Sequence, residues 1–391
     1  MRKATGNVED SFMSGRLPMP RRQGRHNGIM PTPAVVFLCT LAGLAIVFAS
    51  VALLMRAYKQ REFARKLEAR DDDQVSYAFI INPSKPQAAE TRKHIQAYCK
   101  AKHIREVRFI ETRLDRDGKA CALMALEQGA QVVVAVGGDG TVRTVASALA
   151  GTGQAMGIIP IGTGNLFARN MGIPVGNLDA ALTVATSHGS NLVDVGRMFL
   201  LDGQDKDRGH AFLIIAGIGF DALMIDDTDP NLKKTVSWLA YFISGAKHLF
   251  APKYTGDISI TRPDQVTQTN TSVTFRTFMA GNCGEIPGFS LMPNASWDDG
   301  NLDFEIIDTS AGLIGWANLF GDVMHQTITR KASKSPLSTN STIVQLQGPR
   351  AEIKLDDPAL AQVDGDILGE TRHIALEVER QALNVRVPQT D

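Results

Sequence analysis

Between residues 75 and 196, short apolar runs alternate with stretches of helical composition. Ser76 to Asn82 predicts a strand, Ala88 to Lys102 a helix, Glu106 to Glu111 a strand, and Lys119 to Gln128 a helix. Val132 to Val136, Val142 to Leu149, Met156 to Ile161 and Leu166 to Met171 then predict strand, helix, strand and a short helical turn. Alternation of this kind implies a parallel sheet with helices on both faces. Val132 to Val136 carries no polar residue at all, the pattern of a strand buried on both sides.

Past Asn191 to Val195 the rhythm changes to short strands. They are expected at Ala211–Ala216, Asp257–Thr261, Val273–Ala280, Asn301–Ile307, Thr342–Leu346, Ala351–Leu355, Ala361–Asp364, Arg372–Val378 and Leu383–Val387. Turn residues such as Asp299-Gly300 and Gly348-Pro349 separate them, which argues for an antiparallel β-sandwich. Two helical insertions, Leu232 to Phe250 and Leu313 to Thr327, carry aromatic and aliphatic residues at helical spacing, suited to a core or to a lipid. The fold class is therefore α/β: a parallel α/β domain over residues 75–196 and a β-sandwich domain over 197–391.

The longest apolar run lies before both. Ala34 to Met55 contains no charge, and only Thr40 and Ser50 are polar. At about 1.5 Å per residue it would extend roughly 33 Å, enough to cross the hydrocarbon core. It is expected to be a single transmembrane helix; a cleaved signal peptide fits less well, because no small-x-small site follows the run. Residues 1–33 read as a basic disordered tail and 56–74 as a cationic stalk that either lies along anionic headgroups or is a plain solvated linker.

Charge supports this division. The 391-residue chain is formally neutral, but residues 1–70 hold 12 Lys and Arg against 4 Asp and Glu, so they carry +8 and the remainder −8. An acidic body argues against nucleic-acid binding. Basic residues flank the apolar run on both sides, so charge does not fix its orientation. Cys39, Cys99, Cys121 and Cys283 show neither zinc-site nor disulfide spacing and read as reduced thiols.

The candidate chemistry starts where the organising strand ends, in Gly137-Gly138-Asp139-Gly140-Thr141. Glycines let a ligand approach the main chain, and the following helix would aim its first amides at one point, a ready anion site. A second loop of the same construction, Gly162-Thr163-Gly164-Asn165, follows one strand later. One such loop is a common structural turn. Two at the carboxyl ends of successive strands mark the crevice where open α/β sheets bind nucleotides. Phosphates would sit on Gly137, Gly138, Gly140 and Thr141, with Thr163 opposite. Asp139 would repel a phosphate, so its carboxylate reads as a magnesium or water ligand, as a base, or as a cap on the helix near Thr141. A separate turn, Ser296-Trp297-Asp298-Asp299-Gly300-Asn301-Leu302-Asp303, has the oxygen-rich composition a hard cation needs and also that of many surface turns.

The GGDGT loop together with IPIGTGNLFARNMGIP resembles the diacylglycerol kinase catalytic domain family, which includes sphingosine and ceramide kinases. GGDG by itself is shared with NAD kinases and phosphofructokinases. The resemblance covers about Val75 to Pro388. It implies ATP and Mg2+ as cofactors, with Asn82, Pro83 and Thr112 joining Gly162 and Asn165 around the ATP pocket. It implies a structural magnesium held by the Asp299 side chain and backbone carbonyls of Ser296 and Asn301, with Asp298 a network or catalytic carboxylate. It also implies a proton acceptor at Asp366, where the family usually has Glu; the shorter side chain has less reach. Asp364 beside it reads as a turn former, and the Ala280-Gly281-Asn282 and Gly219-Phe220-Asp221-Ala222 stretches as packing and cleft shape.

The activity implied is phosphorylation of a membrane lipid hydroxyl, diacylglycerol to phosphatidate, by a cytoplasm-facing, membrane-tethered enzyme. The partners are the bilayer and its lipid alcohol, and a homodimer is left open. A sphingoid or other lipid alcohol is the nearest variant. A soluble-metabolite kinase of the NAD-kinase kind and a non-catalytic nucleotide-binding anchor are the alternatives from other classes.

Overall fold

The structure is a computed structural model and describes residues 75–204, 206–219, 222, 252–286, 289, 290, 292, 294–309 and 341–389. The expected tail, transmembrane run and stalk, the two helical insertions, Cys39, Phe220 and Asp221 lie outside the described residues. No helix among the described residues is long and apolar enough to cross a membrane.

The first half alternates as its pattern predicts. The strands are β1 (Tyr77–Ile81), β2 (Val107–Glu111), β3 (Val132–Gly137) and β4 (Ala155–Pro160). The helices are α1 (Ala88–Ala101), α2 (Gly118–Glu127), α3 (Asp139–Leu149), the short α4 (Leu166–Asn170) and α5 (Leu178–Ala185), the last not anticipated from the sequence. The four strands are parallel in the order β2-β1-β3-β4. Val133 and Ala135 of β3 join Cys121 and Ala122 of α2 and Val142 and Val145 of α3 in one apolar cluster. Val132, Val134 and Val136 join Ile95 of α1 and Leu182 of α5 in another. Every residue from Val132 to Val136 thus meets a helix layer, which is why the run tolerates no polar side chain.

The second half contains β5 (Ser190–Leu200), β6 (His210–Phe212), β7 (Ile215–Gly219), β8 (Tyr254–Thr261), β9 (Thr267–Phe275) and β10 (Thr277–Gly281). It continues with β11 (Glu285–Ile286), β12 (Phe289–Ser290), β13 (Leu302–Thr309), β14 (Ser341–Gly348), β15 (Arg350–Val363) and β16 (Asp366–Arg386). Here the expected separate sandwich needs correction. Among the described residues, all strands except the β11–β12 hairpin belong to one 14-stranded mixed sheet, ordered β14-β13-β10-β7-β15-β16-β4-β3-β1-β2 along its main path. β16 makes the join, pairing in parallel with β4 through Asn384↔Ala155 and Val385↔Met156 and antiparallel with β15 and β5. Position 196, the expected domain boundary, falls inside β5.

Polar interruptions split two long strands in the sequence reading. Between Arg372–Val378 and Leu383–Val387 stands Glu379-Arg380-Gln381, a register shift within β16, with Gln381 at φ 48°. Between Ala351–Leu355 and Ala361–Asp364 stands Asp356-Asp357-Pro358, a register shift within β15. Both are bulge-like irregularities, in which three extra residues of β15 and two of β16 leave the ladder without ending the strand. β9 is missed over most of its length for a related reason. Its residues 267–272 are all exposed and polar, and it pairs with β8 through hydroxyl contacts such as Ser259–Thr269 at 2.9 Å.

Candidate active site

Two glycine loops meet at the carboxyl ends of β3 and β4. A Cβ on Gly162 would stand 2.5 Å from the Cα of Gly138, and one on Gly138 would stand 3.2 Å from the Cα of Gly162. The contact is backbone against backbone, so neither side can yield. These two glycines serve the packing of one loop on the other. At Gly140, by contrast, a Cβ would meet nothing within 4 Å, and that face of the first loop is open.

Side chains tie the loops further. Asp139 Oδ1 accepts the Leu166 amide at 2.6 Å, so it caps α4, behind the second loop. The cap expected on the helix near Thr141 therefore acts on a different helix. α3 itself begins at Asp139, with extended Gly138 as its N-cap. Burial raises the pKa of Asp139, against the pull of the α4 amides. Asn165 sits in the left-handed region at φ 49° and bonds Gly162 twice, its Oδ1 accepting the amide at 3.0 Å and its Nδ2 donating to the carbonyl at 2.7 Å. Thr163 is exposed between them.

The rim of the sheet supplies the remaining residues of the expected pocket. Asn82 Nδ2 donates to Thr141 Oγ1 at 3.1 Å, fastening the end of β1 to the first turn of α3, while Pro83 is exposed. The Thr112 amide donates to the Ile81 carbonyl at 2.9 Å. Lys85 is a residue the sequence reading missed. Its Nζ lies 3.7 Å from where a Gly138 Cβ would be, a cation beside the loop. The signal available was a lysine three residues after Asn82 in the same rim loop.

Opposite α3 stands the turn between β15 and β16. Asp364 and Gly365 both have positive φ, 46° and 87°, the two-residue hairpin geometry that suits an Asp-Gly pair. The Asp364 carboxylate accepts the amides of Leu213, Ile214 and Ile215 at 2.8, 3.0 and 2.9 Å. It is buried, which raises its pKa to about 6 despite those amides and nearby Arg143. Asp366, two residues on, is half exposed and accepts from Arg143 Nη2 of α3. Arg143 Nε is buried without a hydrogen-bond partner. The turn bearing Asp366 is thereby held against the helix that follows the first glycine loop.

The acidic turn of residues 296–303 is a separate construction. Asp194 of β5, fully buried, accepts the amides of Gly300 and Gln381, each at 2.6 Å, and fastens the turn to the β16 bulge. Its signal in the sequence was a single acid inside an apolar strand. Ser296 Oγ donates to Asp298 at 2.6 Å. Asp299 accepts from the Asn301 amide at 2.9 Å and from Gln347 Nε2 at 2.7 Å. Burial, with Asp298 nearby, raises the Asp299 pKa, and burial beside Asp299 lifts Asp303 to about 6. The donors fit a hard cation: all are oxygens, the acids crowd one another, and Asn301 Oδ1 is buried without a partner. No group of three or more His, Cys, Asp or Glu side chains is arranged for a metal among the described residues, so a cation here would rely on backbone carbonyls and water. No hydrogen bond among the described residues joins this turn to the glycine loops. Trp297 does pack against the apolar cluster that holds Phe167 and Met171.

Comparison with known proteins follows the same lines. A model of the diacylglycerol kinase catalytic domain matches residues 76–198, which span both glycine loops. The protein named probable lipid kinase YegS-like in Pseudomonas aeruginosa PAO1 is 30% identical over 288 residues, 73% of this chain and 85% of that one. The chain belongs to the diacylglycerol kinase catalytic domain family. An uncharacterised protein of Synechocystis is 29% identical over 268 residues, 67% of this chain; the match spans only 56% of that protein's length. Among solved structures, a diacylglycerol kinase of Bacillus anthracis matches with a TM-score of 0.60 and 21% identity, over 80% of this chain and 97% of that one. That likeness is one of fold. Family membership makes the chain a lipid-kinase-type protein and implies the use of ATP.

Cys99, Cys121 and Cys283 are buried free thiols whose pKa values burial raises, so none has the lowered pKa of a reactive nucleophile.

Proposed function

We propose that the protein transfers the γ-phosphoryl group of ATP to the hydroxyl of a membrane lipid, diacylglycerol giving phosphatidate. The observation that carries this reading is the Arg143–Asp366 pair, which sets a half-exposed carboxylate beside the helix of an open glycine loop. Phosphoryl transfer asks a protein mainly for positioning and charge. The amides of the first turn of α3 have no acceptors within the helix and can take phosphate oxygens, with Lys85 alongside. Asp366 then accepts the proton of the attacking lipid hydroxyl, oriented by Arg143. Asp139 holds the two loops in register through α4. Magnesium, if bound, would be held by Asp299 with backbone oxygens of Ser296 and Asn301, and would supply charge neutralisation and rigidity to the acidic turn.

The reading places the chain at the cell membrane as a single-pass protein with its body in the cytoplasm. Tethering would raise the effective concentration of an acceptor that stays in the bilayer. The test is transfer of label from γ-labelled ATP to a bilayer lipid extract by wild type, Asp366→Ala and Asp139→Ala. Labelled phosphatidate that disappears in folded Asp366→Ala supports the proposal. A different labelled lipid replaces diacylglycerol by another alcohol, and bound Mg-ATP with no labelled lipid leaves a non-catalytic anchor.

A further inference from the structure

A groove of about 360 Å³ opens away from the glycine loops. α1 leaves the carboxyl end of β1 and runs back to precede β2, which is parallel to β1. The C-terminus of α1 and the start of β2 therefore lie at the amino ends of the strands, opposite the two loops. The groove is formed there, with Ile104, Val107 and Phe109 as its apolar lining and Lys100, His103 and Arg105 around it.

Three features set this place apart. Its volume lies within the range of small-molecule sites, roughly 300 to 1,000 Å³. Neither Lys100 nor Arg105 has an ion pair among the described residues, whereas nearby Arg92 is paired with Glu111 and His94 with Asp179. From residue 96 to 110 the only acid is Glu106, against Lys100, Lys102, Arg105 and Arg108. Cations at the C-terminus of α1 complement the helix dipole, but that accounts for Lys100 and Lys102 and not for Arg105, which lies beyond the helix. Finally, His103 occupies a left-handed position at φ 59°, where the Ile104 amide closes onto the Cys99 carbonyl at 2.9 Å. Glycine would take that position without strain. Histidine there sets an imidazole at the lip instead.

We infer that this groove binds an amphipathic anion, its charged head on Lys100, His103 and Arg105 and its chain along Ile104, Val107 and Phe109. Such a ligand could be a free single-chain anion or an acidic lipid drawn from a bilayer. The inference stands on a different end of the molecule from the proposed kinase site and does not depend on it.

The test uses the full-length protein in phosphatidylcholine nanodiscs and a photoreactive dodecyl phosphate, with the labelled peptide identified by mass spectrometry. Label is expected in peptides covering residues 96–109, and the exposed double substitution Lys100→Glu/Arg105→Glu is expected to reduce it at least tenfold while the protein keeps a cooperative melting transition. Unlabelled dodecyl phosphate should compete. If phosphatidylglycerol nanodiscs also suppress the label, the head comes from the bilayer; if they do not, the ligand is a free amphiphile. Label that is absent, that lies elsewhere, or that survives the charge reversal overturns the inference. So does inorganic phosphate competing as well as dodecyl phosphate, because the apolar lining would then contribute nothing.

Discussion

Arg143 and Asp366, 223 residues apart in sequence, form an ion pair that joins the helix after the first glycine loop to the β15–β16 turn. Asp366 is half exposed, so the pair adds little stability, about 0 to 1 kcal/mol. Its effect is positional, and Arg143→Leu should lower kcat while the melting temperature barely moves. Small misplacements of a reacting group can cost roughly 100-fold. The losses of Arg143→Leu and Asp366→Asn should overlap in the double variant. Fully additive losses in steady-state kinetics would show that the two act independently.

The glycines of the two loops should separate into two behaviours. Gly162→Ala drives a Cβ against the Gly138 backbone, and overpacking of this kind costs about 1 to 3 kcal/mol. Thermal melts should show that loss without nucleotide present. Gly140→Ala meets no protein atom within 4 Å and should melt at or above the wild-type temperature. Its ATP affinity should nevertheless fall, because the added methyl occupies the approach to the loop. Unchanged ATP affinity would place the phosphates elsewhere.

Asp139 can be divided by chemistry. Asp139→Asn keeps an oxygen to accept the Leu166 amide, whereas Asp139→Ala removes it; losing such a cap costs about 1 kcal/mol. The Ala variant should be less stable than the Asn variant by that amount. If the carboxylate serves only to join the loops, Asn should retain most of the lipid-labelling activity. An inactive but fully stable Asn variant would assign its charge to the chemistry.

Stability should depend on pH through Glu305, a buried acid of β13 whose side chain accepts from Gln345. Burial raises its pKa from 4.5 to about 7. The native state then keeps a proton that the unfolded chain releases near pH 4.5. Its relative stabilisation is complete below that pH and is lost as pH rises to about 7. Wild type should lose stability relative to Glu305→Gln across that window, by about 3 kcal/mol at most. Paired denaturant titrations at pH 4.5 and 7.5 check it; parallel curves would show that Glu305 ionises normally.

Which parts of this protein were legible in the sequence follows from how local each signal is. The parallel half was readable because its cues are short-range: an unbroken apolar run for β3, glycines at its end, a helical stretch behind. The site's two loops were found for the same reason. Lys85 and Asp194 were not, since a lysine in a rim loop and a lone acid in a strand gain meaning only from what they face. The polar tripeptides at 356–358 and 379–381 looked like strand ends because a bulge and a turn share composition. Only the pairing partner distinguishes them.

By itself, then, the sequence determined an alternating α/β half, two phosphate-sized loops at strand ends, and membership in a lipid kinase family. The tertiary structure decided that the antiparallel half continues the same sheet through β16, that Gly138 and Gly162 pack against each other, and that Asp139 caps α4. It also decided that Asp366 is held by Arg143. Those outcomes are contacts between segments dozens to hundreds of residues apart, fixed by register and packing, and no local pattern of side chains encodes them.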